Sequence, residues 1–249
     1  MGYVVQRKTG GVRGRPGRTT DETRWSCAGT LINNWYVLTA AHCQGKNPER
    51  RISKLRLGAW KVQGYGGKSI DKLPAEQNFD INEDDITVHE DYATVYENDH
   101  KNVVNDIALI KLPRPAVLNN GVGIVCLPLN PVEAARELNI PDIGDGLTGT
   151  MPNVVGWGYT EYDPWAGNLQ GDFAKANVAS TVQQRLAVPV LSSTACAKKF
   201  NKFEPNVSQL CAGGELGKDS CKVGLQEKVK RSFTTMKRTG RFWWTTLLV

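Results

Sequence analysis

The chain has 249 residues, with 31 Lys and Arg against 25 Asp and Glu and a net charge of +6, and that length is enough to bury a sizeable core. The charge is concentrated at the ends: residues 1–24 carry six basic side chains against two acids and residues 223–249 six against one, which leaves residues 25–222 at −3. A slightly acidic body excludes nucleic acid as the partner to expect, and no run of about 18 apolar residues is present to span a membrane.

In chain order, residues 3–6 read as a short strand, and residues 7–18, rich in Gly and Arg, as a solvated loop. Two apolar, β-prone runs, residues 27–32 and 36–38, flank an Asn33-Asn34 turn and predict paired strands. The second run leads into His42, which sits beside Cys43. Residues 55–60 alternate as a strand and residues 63–78 as a loop. Residues 84–89 are another strand candidate. His89 and His100 lie among acids in expected loops, at a spacing that matches no metal-ligand set. At residues 105–112 a carboxylate, Asp106, precedes a continuous apolar run that must be buried.

Residues 130–150 are punctuated by Pro and Gly and predict a linker between two halves. Residues 161–179 read as an irregular loop. Residues 186–191 read as a strand in which Pro189 demands an edge or a bulge. Residues 192–200 open with a Ser N-cap signal and predict a short helix. Six Cys without CxxC spacing argue against zinc and for disulfides, hence an oxidising compartment. Residues 223–249 shift to basic and aromatic composition and are expected not to fold. Asn206-Val207-Ser208 is the one Asn-x-Ser/Thr sequon and makes Asn206 a candidate glycosylation acceptor.

Three stretches carry a resemblance. Leu38-Thr39-Ala40-Ala41-His42-Cys43, Asn105-Asp106-Ile107-Ala108-Leu109 and the run from Gln209 to Lys222 are similar to the motifs of trypsin- and chymotrypsin-like serine endopeptidases. Gly156-Trp157-Gly158 resembles that family's second-barrel strand end. Within the family, Val125-Cys126-Leu127-Pro128 and Ala195-Cys196-Ala197-Lys198-Lys199-Phe200 resemble the clip-domain serine proteases of arthropods. The resemblance implies an all-β fold of two six-stranded Greek-key barrels of the chymotrypsin type, the second incomplete. It implies residues 25–222 as the peptidase domain, 1–24 as a residual strand and basic loop, and 223–249 as a tail foreign to the family.

The same resemblance implies roles. His42 is the general base and Asp106 the carboxylate that orients it. Asp219 is the floor of a pocket for Arg or Lys. Cys27 pairs with Cys43 and Cys196 with Cys211. The family partners of Cys126 and Cys221 have no counterpart here, which leaves two thiols or one pairing across the domain. Expected partners are a protein substrate or a cascade protease, and a serpin-type inhibitor of the active parent. The parent is expected to be extracellular. No cofactor and no metal are expected.

The pattern stops at Lys222. The family continues Gly-Asp-Ser-Gly-Gly-Pro, whereas this chain continues Val223-Gly224-Leu225, and no Gly-Asp-Ser-Gly occurs anywhere in it. The nucleophile and the oxyanion-hole Gly are therefore missing from this sequence, as is an Arg-Ile-Val-Gly-Gly activation site, and truncation at both ends is the expectation. Lys encoded AAG followed by a Val codon beginning GT matches an exon end and splice donor. The gene is accordingly expected to continue, after an intron, with the missing motif in frame. The rival reading is a non-catalytic homologue that binds or regulates a protease cascade.

Overall fold

The computed structural model describes residues 2–8, 19–25, 27–45, 51–61, 76–97, 100–127, 129–137, 139, 145–161, 178–199, 209–213 and 247–248. Asn206, Asp219 and Cys221 lie outside them.

The first half is built from two four-stranded antiparallel sheets. Strands β1 (Gly2–Lys8) and β2 (Thr19–Trp25) pair along their full length, from Gly2↔Trp25 to Lys8↔Thr19. The strand expected at residues 3–6 thus extends through Arg7 and Lys8, which the loop reading had claimed. A single rung, Gly2↔Lys54, joins this hairpin to β5 (Lys54–Leu57), which pairs in turn with β6 (Gln77–Asp80). The second sheet has the order β3 (Thr30–Asn33), β4 (Tyr36–Thr39), β10 (Ala108–Lys111), β7 (Ile86–Val88).

The β3–β4 turn has a local cause: the Asn33 side-chain oxygen accepts from the main-chain N–H groups of Trp35 (2.8 Å) and Tyr36 (2.9 Å). Asx bonding of this kind reverses the chain without help from distant contacts. The strands alternate in burial, and their inward residues meet in one cluster that includes Leu31, Val37, Leu55, Phe79, Ile110 and Leu112. Ile110 is fully buried, and the alternation is what puts it there while Lys111 faces water.

Between β7 and β10 the chain makes a separate hairpin, β8 (Ala93–Glu97) with β9 (His100–Val104), in register from Ala93↔Val104 to Glu97↔His100. His100, expected in a loop, is the first residue of β9; the unbroken polar run over residues 97–102 hides the alternation by which a strand is read from sequence.

Helix α1 (Pro131–Glu137) falls in the expected linker. Beyond it, β11 (Asn153–Gly156) pairs with β14 (Gln184–Ala187) and, on its other edge, with β17 (Leu247–Leu248). The pairing of Leu247–Leu248 corrects the expectation that no part of residues 223–249 folds: an edge strand accepts any extended segment through main-chain bonds. Strand β12 (Tyr159–Glu161) pairs with β13 (Val178–Ala179), so the loop expected at residues 161–179 is closed at both ends. Pro189 divides the strand expected at 186–191 into β14 and β15 (Val190–Leu191), and β15 pairs with β16 (Cys211–Ala212).

Helix α2 (Ser193–Lys199) starts where Ser192 Oγ accepts from the Ala195 N–H at 3.2 Å, an N-cap bond. A second, smaller core gathers Val188, Val190 and Ala212. The halves touch at Trp60, whose carbonyl accepts from Trp157 Nε1 (3.2 Å) and from the Gln183 N–H (3.1 Å).

Candidate active site

The site begins where β4 ends. Thr39 is buried, and its hydroxyl donates to the Ala28 carbonyl at 3.0 Å, which ties the segment carrying Cys27 to the strand that leads to His42. A one-turn 3-10 helix, Ala41–Gln44, follows. It closes at Gly45, whose φ of 57° is the left-handed region that glycine enters without penalty. Cys27 and Cys43 are disulfide-bonded across a separation of 16 residues. The His42 main chain is therefore fixed from both sides, by the strand before it and by the disulfide after it.

Asp106 reaches the same turn from the entrance to β10. Its Oδ1 accepts from the His42 main-chain N–H at 2.8 Å, and its Oδ2 lies 2.6 Å from His42 Nδ1. One carboxylate thus grips both the backbone and the ring of one residue. The Asp106 side chain is 5% exposed and that of His42 31%. Such a buried carboxylate strengthens the bond it makes by excluding water. With Nδ1 directed at Asp106, the ring is held in one orientation, and Nε2 is the nitrogen placed for proton transfer.

The residue before the acid takes a left-handed backbone. Asn105 has φ 51°, a conformation that Asn tolerates better than other side-chain-bearing residues. Its amide donates to the Asp91 carbonyl at 3.1 Å, and its carbonyl accepts from the Ile107 N–H at 2.8 Å. The Ile107 carbonyl then accepts from the His89 N–H at 3.1 Å. Tyr92 stands nearby: burial first, and the Asp106 carboxylate second, push its phenol above the ordinary tyrosine range. From the second half, Gln209 Nε2 donates to Asn102 Oδ1 (3.1 Å) and to the Val103 carbonyl (3.0 Å).

The structure brings His42, Asp106, Cys27 and Cys43 together. Cys196 and Cys211 are bonded to each other in the second half. Cys126 is an exposed free thiol. Among the described residues, the group of three ligand-type side chains close enough to share an ion is Cys27, His42 and Cys43. Both sulfurs are spent in the disulfide, and a metal needs thiolates. The sequence reading missed Tyr92, Asn105 and Gln209 as parts of the site. Asn105 carried a signal, since Asn before an isolated acid at a strand entrance is a turn residue; the other two carried none.

Comparison with known proteins places this geometry in a family. The family model described as Trypsin matches residues 9–223. The chain is 36% identical over 207 residues to phenoloxidase-activating factor 1 of Holotrichia diomphalia, covering 80% of this chain and 48% of that protein. It is 36% identical over 201 residues to serine protease 7 of Drosophila melanogaster, covering 79% and 44%. Among solved structures it is similar to the Drosophila Grass clip serine protease of the Toll pathway, with a TM-score of 0.54 and 26% identity over 80% of this chain and 49% of that one. The chain spans about half the length of the relatives it matches.

Proposed function

From the premise that this chain belongs to the trypsin family and has its all-β fold, close to the clip-domain serine proteases of arthropods, we propose that it is the peptidase region of an extracellular cascade protease that cuts after Arg or Lys. Without a Gly-Asp-Ser-Gly segment, these 249 residues are catalytically silent in this proposal. The observation that carries the reading is the pair of hydrogen bonds between His42 and the Asp106 carboxylate, at 2.6 Å from the ring and 2.8 Å from the main chain. A buried acid that orients a His is the half of an acyl-transfer machine that generates the base.

The other half is the nucleophile and its oxyanion donors, and the sequence holds no Gly-Asp-Ser-Gly to supply them. Ser220 precedes Cys221 and matches a pocket-wall position rather than a nucleophile. The proposed roles are His42 as base, Asp106 as its orienting acid, and Asp219 as the pocket carboxylate that pairs with the substrate cation. In subtilisin loss of the nucleophile costs about 10⁶ in turnover, and what survives comes from the oxyanion hole and substrate binding; with the oxyanion Gly missing as well, no hydrolysis above the buffer rate is expected here.

Treatment of the purified chain with a serine-directed fluorophosphonate tests the reading. No Ser should be labelled, and an Arg ester should not be hydrolysed above the buffer rate. Stoichiometric labelling of any Ser overturns it. A transcript sequenced through the Lys222 codon should continue into Gly-Asp-Ser-Gly-Gly-Pro, and the protein made from that transcript should label. A fully spliced transcript that carries residues 223–249, with no such exon downstream, favours instead the non-catalytic homologue that binds a cascade protease.

A further inference from the structure

We propose that Gln209 is a positioning residue: its side-chain amide clamps the β8–β9 hairpin to the second half of the chain and so holds Asp106 against His42. The inference rests on the reading of His42 and Asp106 as base and orienting acid.

Asp106 lies two residues beyond the end of β9. The β8–β9 hairpin pairs with no other described strand, and a two-stranded ribbon alone is marginally stable in water. Within its own half, the base of this ribbon is tied by the Asn105–Asp91 bond. That bond fixes one side of the hairpin to the other, and the His89 N–H to Ile107 carbonyl bond ties its base to the β7–β10 sheet; the paired length beyond the base is held by neither bond.

Gln209 supplies an anchor. Its NH2 group donates both to the Asn102 side chain and to the Val103 carbonyl, two neighbouring acceptors three and four residues before Asp106. Asn102 is 8% exposed, so loss of this donor strips a buried carbonyl of a partner, which costs more than an exposed bond would.

The donor itself is rigidly held. Leu210 packs on the second core, Cys211 is bonded to Cys196 in α2, and the Gly213 N–H donates to the Pro189 carbonyl at 2.7 Å. The clamp therefore runs from a disulfide-pinned corner of the second half to the segment that delivers Asp106. Among the described residues, this amide links the second half to the segment that delivers Asp106.

The test is exchange of the His42 Nδ1 proton with water, followed by proton NMR in the full chain. Gln209→Met keeps the length and loses the donor; Gln209→Lys is one methylene longer and restores N–H donors. Exchange should quicken about tenfold in Gln209→Met, the worth of about one net hydrogen bond, and return to within about twofold of the parent in Gln209→Lys. The main-chain amides of Leu109 and Ile110 should not change.

Unchanged proton exchange in folded Gln209→Met overturns the proposal. Equal acceleration at the proton and at the β10 amides also overturns it, because that is general loosening. If Gln209→Met does not fold, Asn102→Ala decides: it removes one of the two acceptors, and about threefold faster exchange is expected, with no change as the refuting result. Serine labelling would sink the reading of the chain as silent but leave this measurement standing, since the proton is read without turnover.

Discussion

Removal of the Cys27–Cys43 disulfide probes how the dyad is held. Replacement of both residues by Ala opens a loop closed over a sequence separation of 16. In the chain-entropy account a loop of that length is worth about 3 kcal/mol. Both Cys pack against the first core, and Ala leaves no buried hydroxyl behind, so closure entropy dominates the change. The cost should fall on the first half, whose cluster does not include the second core. Native-state amide exchange reads it: the N–H groups of Val37 and Ile110, in the β4–β10 ladder, exchange through opening of that core. A loss of about 3 kcal/mol makes their exchange roughly 150-fold faster. The amides of Val154 and Leu186, in the β11–β14 ladder, should be unaffected. Acceleration below about threefold, or the same acceleration in both halves, would refute the argument that this bond restrains the His42 segment locally.

Three further outcomes are expected. Asp106→Asn exchanges one acceptor oxygen for an NH2, so the grip on the His42 ring or on its N–H is lost; the Nδ1 proton should exchange at least about tenfold faster, and an unchanged rate would deny Asp106 its orienting part. Ile110→Ala empties a fully buried site and should cost about 2–5 kcal/mol in the opening energy of β4 and β10, against about 1 kcal/mol for Ile110→Val; equal costs for the two would contradict the packing described. Tyr92 has a raised pKa from burial and then from Asp106, so as pH rises the unfolded chain gives up this phenol proton first. Its contribution to stability is complete below about pH 10 and is lost as pH rises through the folded value; thermal midpoints followed into alkali should fall less steeply for Tyr92→Phe than for the parent, and identical slopes would count against it.

His42 and Asp106, which the structure brings together, stood out only through the resemblance of the stretches around them: taken alone, a single His is most often a satisfied structural side chain and a single Asp before a strand a turn residue. The β3–β4 hairpin needed no resemblance, because Asn33 writes its own turn. Extent was harder to read. Thr19–Trp25 contains Asp21, Glu22 and Arg24 and looks like solvated chain, yet it is a strand because β1 lies opposite it. Such pairing is a property of two segments, and neither shows it alone. Gln209 is the extreme case, since its partners are 106 and 107 residues away and nothing in its own neighbourhood hints at them. Pro189 signalled an irregularity and the structure has one there, stronger than the expected edge or bulge: a break between β14 and β15.

The left-handed backbone at Asn105 bears on how the pair Asn105-Asp106 should be read in any chain that carries it. Three residue types enter that conformation at little cost: Gly, Asn and Asp. Gly would keep the path and drop the bond to the Asp91 carbonyl. Asp would keep the path and set a carboxylate against that carbonyl, two acceptors face to face. Only Asn meets both demands. One letter of this two-letter signature is thus spelled by geometry and the other by proton chemistry, and a chain that had given up the chemistry would still have reason to keep the first.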